Sequence, residues 1–116
     1  MYKIGEFADL TNLSVRTLRY YNDLGLLIPE EVDIFSNYRY YSDNNLKEAQ
    51  TINNLKMAGF TLEEIKDNWN NFTEDTLLSK KQELYEKIFC IEEQIKQVDR
   101  LRGSLPNKVK VKKLGG

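Results

Sequence analysis

The clearest helix signal in the chain is the segment Leu13-Ser14-Val15-Arg16-Thr17-Leu18-Arg19-Tyr20-Tyr21-Asn22-Asp23-Leu24-Gly25. Ser14 is a favourable N-cap, and Leu13 and Leu18 stand at the two positions whose apolar contact fixes the entry of the chain into a helix. Gly25 adopts the left-handed conformation that ends helices at little steric cost. The segment therefore predicts a helix that starts at Ser14 and runs to Leu24.

The two faces of this helix differ in chemistry. At about 100° per residue, an inner face is predicted to carry Val15, Leu18 and Asn22. The outer face carries Arg16, Thr17 and Tyr20, with Arg19 at its edge. Guanidinium groups bind phosphates or guanine edges with two hydrogen bonds, and the hydroxyl and the aromatic ring suit phosphate and base contacts. This combination is typical of a DNA recognition helix.

The flanking segments complete a winged helix-turn-helix pattern. The apolar spacing from Ile4 to Leu10 predicts a short helix before the turn at Thr11. The segment 26–41 passes through a polar, turn-rich stretch and ends in Tyr38-Arg39-Tyr40-Tyr41, which favours a β-hairpin. In a helix-turn-helix the second helix enters the major groove, and the hairpin becomes a wing on which Tyr38 and Arg39 form a phosphate clamp.

Two further helices are predicted after the hairpin. Ser42 or Asp43 caps a third helix that ends at Gly59 and has apolar residues at every third position: Leu46, Ala49, Ile52 and Leu55. Thr61 and Glu64 form a capping box for a fourth short helix, which is predicted to carry Trp69 and Phe72. An aromatic pair at this spacing is more often part of a core than of a ligand pocket.

A fifth, long helix is predicted from Thr73 to Leu101 or Arg102. Its apolar residues alternate spacings of four and three, as in a coiled-coil seam: Leu84, Ile88, Ile91, Ile95 and Val98. The other faces are charged, so the seam needs a partner helix. The alternating residues 108–114 predict a strand with nothing left in the chain to pair with, and we therefore expect the sequence to stop shortly after a linker.

Composition excludes several classes of protein. The chain of 116 residues has 17 Lys and Arg against 18 Asp and Glu, so DNA binding depends on where the basic residues lie. No apolar run suffices for a membrane span, and no secretory signal is present, which predicts a cytoplasmic protein. With no histidine and one cysteine, Cys90, the usual zinc and His-based catalytic sites cannot form. We expect no enzymatic activity and no cofactor, and we interpret Cys90 as a small core residue.

Several motifs together resemble the MerR family of bacterial transcription regulators. They are residues 4–8 (IGEFA), 13–21 (LSVRTLRYY), 25–29 (GLLIP), 38–41 (YRYY) and 59–65 (GFTLEEI). Each motif is weak alone, but their order and spacing are specific. The wing sequence 36–41 looks most like the multidrug-responsive branch, although Asn37 stands where family members usually have glycine. Asn also tolerates left-handed backbone, so the wing is expected to form.

The resemblance implies a dimer whose long helices pair antiparallel on a pseudo-palindromic promoter. It further implies that an effector makes the dimer bend and untwist the DNA, so that the dimer acts on RNA polymerase indirectly at the promoter. It also implies that a C-terminal effector-binding domain is missing here. The positions that match DNA contacts in the family are Arg16, Arg19, Tyr21, Tyr38, Arg39 and Lys56. Thr17 and Tyr20 come from the helical wheel. Tyr21 lies toward the buried side of the wheel, so a core role for its ring competes with DNA contact.

The predicted architecture is mostly α. Residues 1–72 form a winged helix-turn-helix domain, 73–102 a dimerisation helix, and 103–116 a linker with the start of the effector domain. Two alternatives stay open. The chain could be a coiled-coil interaction module without DNA binding, or it could sense a ligand directly between the long helix and the domain through Trp69, Phe72 or Tyr85. We expect the regulator to lie in the cytoplasm, associated with the nucleoid.

Overall fold

The computed structural model describes residues 1–106. The elements, in chain order, are strand β1 (Tyr2–Lys3), helices α1 (Ile4–Thr11) and α2 (Val15–Asp23), strands β2 (Glu31–Val32) and β3 (Arg39–Tyr41), and helices α3 (Asp43–Met57), α4 (Leu62–Asp67) and α5 (Glu74–Ser104). The chain divides into two compact units, Met1–Thr73 and a second one that begins at Glu74. The first unit has the predicted winged helix-turn-helix order.

The turn between α1 and α2 has the predicted caps. The Ser14 hydroxyl accepts the backbone N–H of Thr17 at 3.0 Å, which satisfies one of the donors left open at a helix start. Asn12 ends α1 with left-handed backbone, and Gly25, at φ 72°, follows α2 in the same conformation. The boundaries of the recognition helix therefore follow from local chemistry.

The wing is a three-stranded antiparallel sheet in the order β1-β3-β2. The sequence predicted the hairpin of β2 and β3 but missed β1, because two residues are too few to show an alternating pattern. Tyr2 pairs with Tyr41, and Lys3 pairs with Tyr40. The start of the chain is thereby fixed to the wing strand that carries Arg39.

The core of the first unit joins the helices to the wing. Its buried apolar residues are Phe7, Leu18, Tyr21, Leu26, Leu27, Tyr41, Ala49, Ile52, Phe60 and Ile65. Trp69 and Phe72 pack against this core, but the prediction that α4 carries them is wrong because the helix ends at Asp67. The amide of Asn68 there donates to the carbonyl of Glu64 at 2.8 Å, and a turn follows.

Asn45 holds the start of α3 to the segment before the wing. Its side chain is buried, and its Oδ1 accepts the N–H groups of Glu30 at 3.1 Å and Ser42 at 3.0 Å. Its amide nitrogen donates to the carbonyl of Ile28 at 2.9 Å and to the Glu48 carboxylate at 2.8 Å. The sequence showed Ser42 as a cap but not this long-range role of Asn45.

Helix α5 extends two to three residues past the predicted end at Leu101 or Arg102, through Gly103 to Ser104. A glycine inside a helix costs about 1 kcal/mol relative to alanine, which a helix of 31 residues tolerates. The predicted seam residues are all exposed in the single chain. Cys90 is exposed as well, contrary to the prediction that it is a core residue. The predicted strand at 108–114 falls outside the described residues.

Candidate nucleic-acid interface

Helix α2 presents most of its predicted contact residues to solvent. Arg16 and Arg19 are exposed, and the Tyr20 side chain is 51% exposed. Thr17 is half-buried, and its hydroxyl accepts the Ser14 hydroxyl at 2.8 Å, so it belongs to the helix cap as well as to the outer face. The arrangement leaves guanidinium groups and one aromatic ring on the side of α2 away from the core.

The recognition helix and the wing meet in one cleft. This cleft has a volume of about 310 Å³ and is lined by Ile4, Arg19, Asn37, Tyr38 and Arg39. Asn37 adopts left-handed backbone at φ 61°, as expected for a residue that stands where glycine is usual. The two arginines are 20 positions apart in sequence and lie on different elements, and the fold brings them to one site.

Tyr41 lies in the electrostatic field of both arginines. Burial raises the pKa of its hydroxyl above the ordinary value, and the charges of Arg39 and Arg19 oppose that rise. Both guanidinium groups are therefore close enough to act on the same buried phenol. Arg19 on α2 and Arg39 on β3 thus both contribute positive charge to the cleft.

Lys3 adds a basic group that the sequence analysis missed. Its ammonium lies 5.3 Å from the ring centroid of Tyr38, and Lys3 also lines a second cleft with Tyr38 and Arg39. Such a placement of a cation over an aromatic ring is attractive. Only the pairing of β1 with β3 brings Lys3 there, so the pattern of the sequence offered no signal for it.

Lys56 on α3 contacts Tyr21 on the recognition helix. The Lys56 ammonium donates to the Tyr21 hydroxyl at 3.2 Å and lies 5.9 Å from the centre of the Tyr21 ring. The Tyr21 side chain is only 1% exposed. The ring of Tyr21 thus lies in the core, as the competing interpretation expects, and a DNA contact of its hydroxyl stays a prediction. Lys56 itself is exposed.

The arginines of this surface are not neutralised by ion pairs within residues 1–106. Within residues 1–106, Arg16, Arg19 and Arg39 form no ion pair with a carboxylate. At the wing tip, by contrast, Asp33 accepts the backbone N–H groups of Phe35 at 2.8 Å and Ser36 at 3.3 Å, which lowers the pKa of its carboxyl. The Asp33 carboxylate is therefore engaged by the backbone of the wing-tip turn.

The described part of the chain has neither a metal-binding cluster nor a membrane-spanning helix. Among residues 1–106, no cluster of cysteine and acidic side chains could hold a metal ion. No helix in that range is both long and apolar enough to span a bilayer.

Comparison with known proteins identifies the family. The model of the MerR HTH family regulatory proteins matches residues 2–70, which is more than half of the chain. The chain therefore belongs to the MerR family of helix-turn-helix regulatory proteins, and the predicted resemblance is confirmed.

The relatives agree with the multidrug-responsive branch. The regulator of multidrug-efflux transporter 1 from Bacillus subtilis strain 168 is 45% identical over 65 residues, which are 56% of this chain and 23% of that protein. The chain thus spans about a quarter of the length of that relative. The crystal structure of MtaN, the N-terminus of the Bacillus subtilis multidrug transporter activator, has a TM-score of 0.83 and 34% identity. That match covers 90% of this chain and 100% of MtaN.

Two of the similar solved structures contain DNA: an EcmrR-DNA complex and HiNmlR. HiNmlR, a MerR family regulator lacking the sensor domain and bound to promoter DNA, matches with a TM-score of 0.57 and 26% identity, over 99% of this chain and 95% of that one. Its fold corresponds to both units described here. The mostly helical winged helix-turn-helix fold followed by a long helix is confirmed by the MtaN match.

Proposed function

We propose that this protein is a sequence-specific transcription regulator that binds promoter DNA as a homodimer. The observation that carries the proposal is the convergence of Arg19 from α2 and Arg39 from β3 in one cleft, with no carboxylate paired to either within residues 1–106. Guanidinium groups bind phosphates bidentately, and a pair in one cleft, with Arg19 exposed and Arg39 half-buried, is suited to clamp a phosphate.

The proposed interface has three parts. The recognition helix enters the major groove with Arg16, Thr17, Arg19 and Tyr20. The wing clamps the phosphate backbone with Tyr38 and Arg39, joined by Lys3. A further phosphate contact comes from Lys56, near the end of α3. Phosphate contacts fix the position of the protein on the duplex, whereas base contacts in the major groove supply the sequence preference.

Dimerisation is proposed for α5. The seam residues Leu84, Ile88, Ile91, Ile95 and Val98 are exposed over about four turns of helix, and a stripe of this kind is stable only when a second helix covers it. We propose that the α5 helices of two copies pair antiparallel. Two-fold symmetry of the protein then requires a pseudo-palindromic operator.

The proposed mode of action is the one that the resemblance to the MerR family implies. We propose that the dimer bends and untwists its promoter in response to a small-molecule effector and so aids RNA polymerase indirectly. DNA distortion of this kind depends on phosphate clamps that offset the cost of deformation. Residues 1–72 would bind DNA, 73–102 would form the dimer, and 103–116 would lead toward an effector domain. We propose that the protein regulates transcription and catalyses no reaction. We propose that it lies in the cytoplasm, associated with the nucleoid.

The proposal is tested by DNA binding of the purified chain. A pool of promoter-length duplexes is selected for binding, and the best sequence is titrated by fluorescence anisotropy at two salt concentrations. Arg19→Ala is the variant, and Lys47→Ala removes an exposed positive charge from α3 as the matched control. We expect tight, salt-sensitive binding that Arg19→Ala loses and Lys47→Ala keeps. Weak binding that is indifferent to sequence and to Arg19 would contradict the proposal and favour a coiled-coil interaction module.

A further inference from the structure

We infer that Tyr21 is a positioning residue whose buried hydroxyl holds the ammonium group of Lys56 at the DNA-facing surface. This inference rests on the proposed DNA-binding function and assigns Tyr21 a role other than direct contact. A lysine side chain has a flexible four-carbon stem, so an unrestrained ammonium explores many positions. A fixed acceptor beside it selects the position from which a phosphate is bound.

Tyr21 is a rigid acceptor. Its side chain is 1% exposed and belongs to the core, so its hydroxyl has little freedom to move. The ammonium nitrogen of Lys56 lies 3.2 Å from that hydroxyl oxygen and 5.9 Å from the ring centroid. The hydroxyl and the face of the ring therefore attract the same cation. A core residue of the recognition helix thus fixes a surface charge on a different helix.

The backbone that carries Lys56 is also fixed to the helix-turn-helix. One turn earlier in α3, the amide of Asn53 donates to the carbonyl of Thr11 at 3.3 Å. Thr11, Asn12 and Leu13 then share one groove with Asn53 and Lys56. The turn of α3 that carries Lys56 is accordingly held to the end of α1, and the Lys56 ammonium is held to α2.

The chemistry leaves Lys56 able to bind DNA. An ammonium group has three donors, and Tyr21 accepts one of them. Two donors remain for the oxygens of a backbone phosphate. The bond to Tyr21 therefore orients the cation without neutralising it, unlike a bond to a carboxylate.

The test is a double-mutant cycle on the selected operator duplex, with affinity measured across a series of salt concentrations. The variants are Tyr21→Phe, Lys56→Ala and the combination of both. Tyr85→Phe, which removes the hydroxyl of an exposed tyrosine on α5, and Lys47→Ala are the matched controls. Thermal unfolding of each variant checks that the fold is retained.

We expect Lys56→Ala to weaken binding about tenfold and to lower the slope of log affinity against log salt by about 0.9, the loss of one phosphate contact. Tyr21→Phe keeps the ring and is expected to weaken binding by roughly three- to tenfold, the range for a typical intramolecular hydrogen bond. The double variant should bind as Lys56→Ala does, because Tyr21 acts only through Lys56. The two controls should bind as the unmodified chain does.

Two results would overturn the inference while the regulator proposal stands. One is unchanged DNA binding by Tyr21→Phe. The other is that Tyr21→Phe weakens binding by the same factor in the unmodified chain and in the Lys56→Ala variant. If the unmodified chain shows no salt-dependent binding, the proposed function itself fails.

NMR of the lysine ammonium groups in the free protein is a measurement that needs neither DNA nor a variant. The Lys56 ammonium should be more restricted than that of Lys47, and equal mobility of the two would also overturn the inference.

Discussion

The rings of Phe7 and Tyr41 stack with their centroids 4.3 Å apart and their planes 10° from parallel. Phe7 lies in α1, the first helix of the helix-turn-helix, and Tyr41 ends the wing strand β3. Both side chains are fully buried. This contact fixes the wing to the helix-turn-helix at the core, so Arg39 on the wing and Arg19 on α2 keep their positions in one cleft.

Replacing Tyr41 by phenylalanine should stabilise the protein. The Tyr41 hydroxyl is buried and has no hydrogen-bond partner among residues 1–106, so removing it while keeping the ring should raise the free energy of unfolding by roughly 1 kcal/mol. Urea denaturation at neutral pH measures this change. Tyr40→Phe, on the half-buried neighbour, is the control, expected within about 0.5 kcal/mol of the unmodified chain. A loss of stability in Tyr41→Phe would contradict the prediction.

The same substitution should change the response to alkali. Burial raises the pKa of the Tyr41 hydroxyl in the folded state above the unfolded-state value of about 10. The stability that this pKa difference contributes is fully present below the unfolded-state pKa and is lost as the pH rises through the folded-state pKa. The advantage of Tyr41→Phe should therefore grow above about pH 10. Urea denaturation at neutral and alkaline pH gives the comparison, and a constant difference between the two proteins would count against it.

Asn45→Ala should be strongly destabilising. The change removes the buried side chain that satisfies backbone groups of Ile28, Glu30 and Ser42. We expect a loss of roughly 3 kcal/mol in the free energy of unfolding, measured by urea denaturation. Asn44→Ala, on the exposed neighbouring position, should change the stability by less than about 0.5 kcal/mol. Similar effects of the two variants would show that Asn45 does not hold the wing segment.

Lys3→Ala tests the basic group that the sequence analysis missed. We expect weaker binding to the operator duplex and a salt slope smaller by about 0.9, because one phosphate contact is lost. Anisotropy titrations over a range of salt concentrations measure both quantities, with Lys47→Ala as the control. The fold should persist, since Lys3 is exposed. An unchanged slope would place Lys3 outside the interface.

Ile91→Asp should break the dimer. The substitution places a charge at the middle of the seam, where a partner helix would have to bury it without a counter-charge. Sedimentation equilibrium should show a dimer for the unmodified chain and a monomer for Ile91→Asp. Gln97→Asp, which adds the same charge on another face of α5, should remain dimeric. A monomeric unmodified chain, or equal behaviour of the two variants, would contradict the proposed seam.

Most of the fold was predictable because its signals are local. Ser14, Gly25 and the Thr61–Glu64 capping box act within one helical turn of their own positions, and the structure has helix boundaries where they predict them. The error at α4, which ends at Asp67 rather than carrying Trp69 and Phe72, also has a local cause in the Asn68 side chain. Aromatic spacing suggested a longer helix, although the same residues pack on the core from a turn.

The sequence by itself determined the elements, the outer face of α2 and the apolar stripe of α5, because periodicity and capping depend on neighbours in the chain. Only the tertiary structure decided which distant groups meet. The pairing of β1 with β3 brought Lys3 to the wing, and core packing placed the Tyr21 hydroxyl beneath Lys56. These contacts join residues 35 or more positions apart, where no local pattern specifies a partner and the burial of apolar surface selects the arrangement.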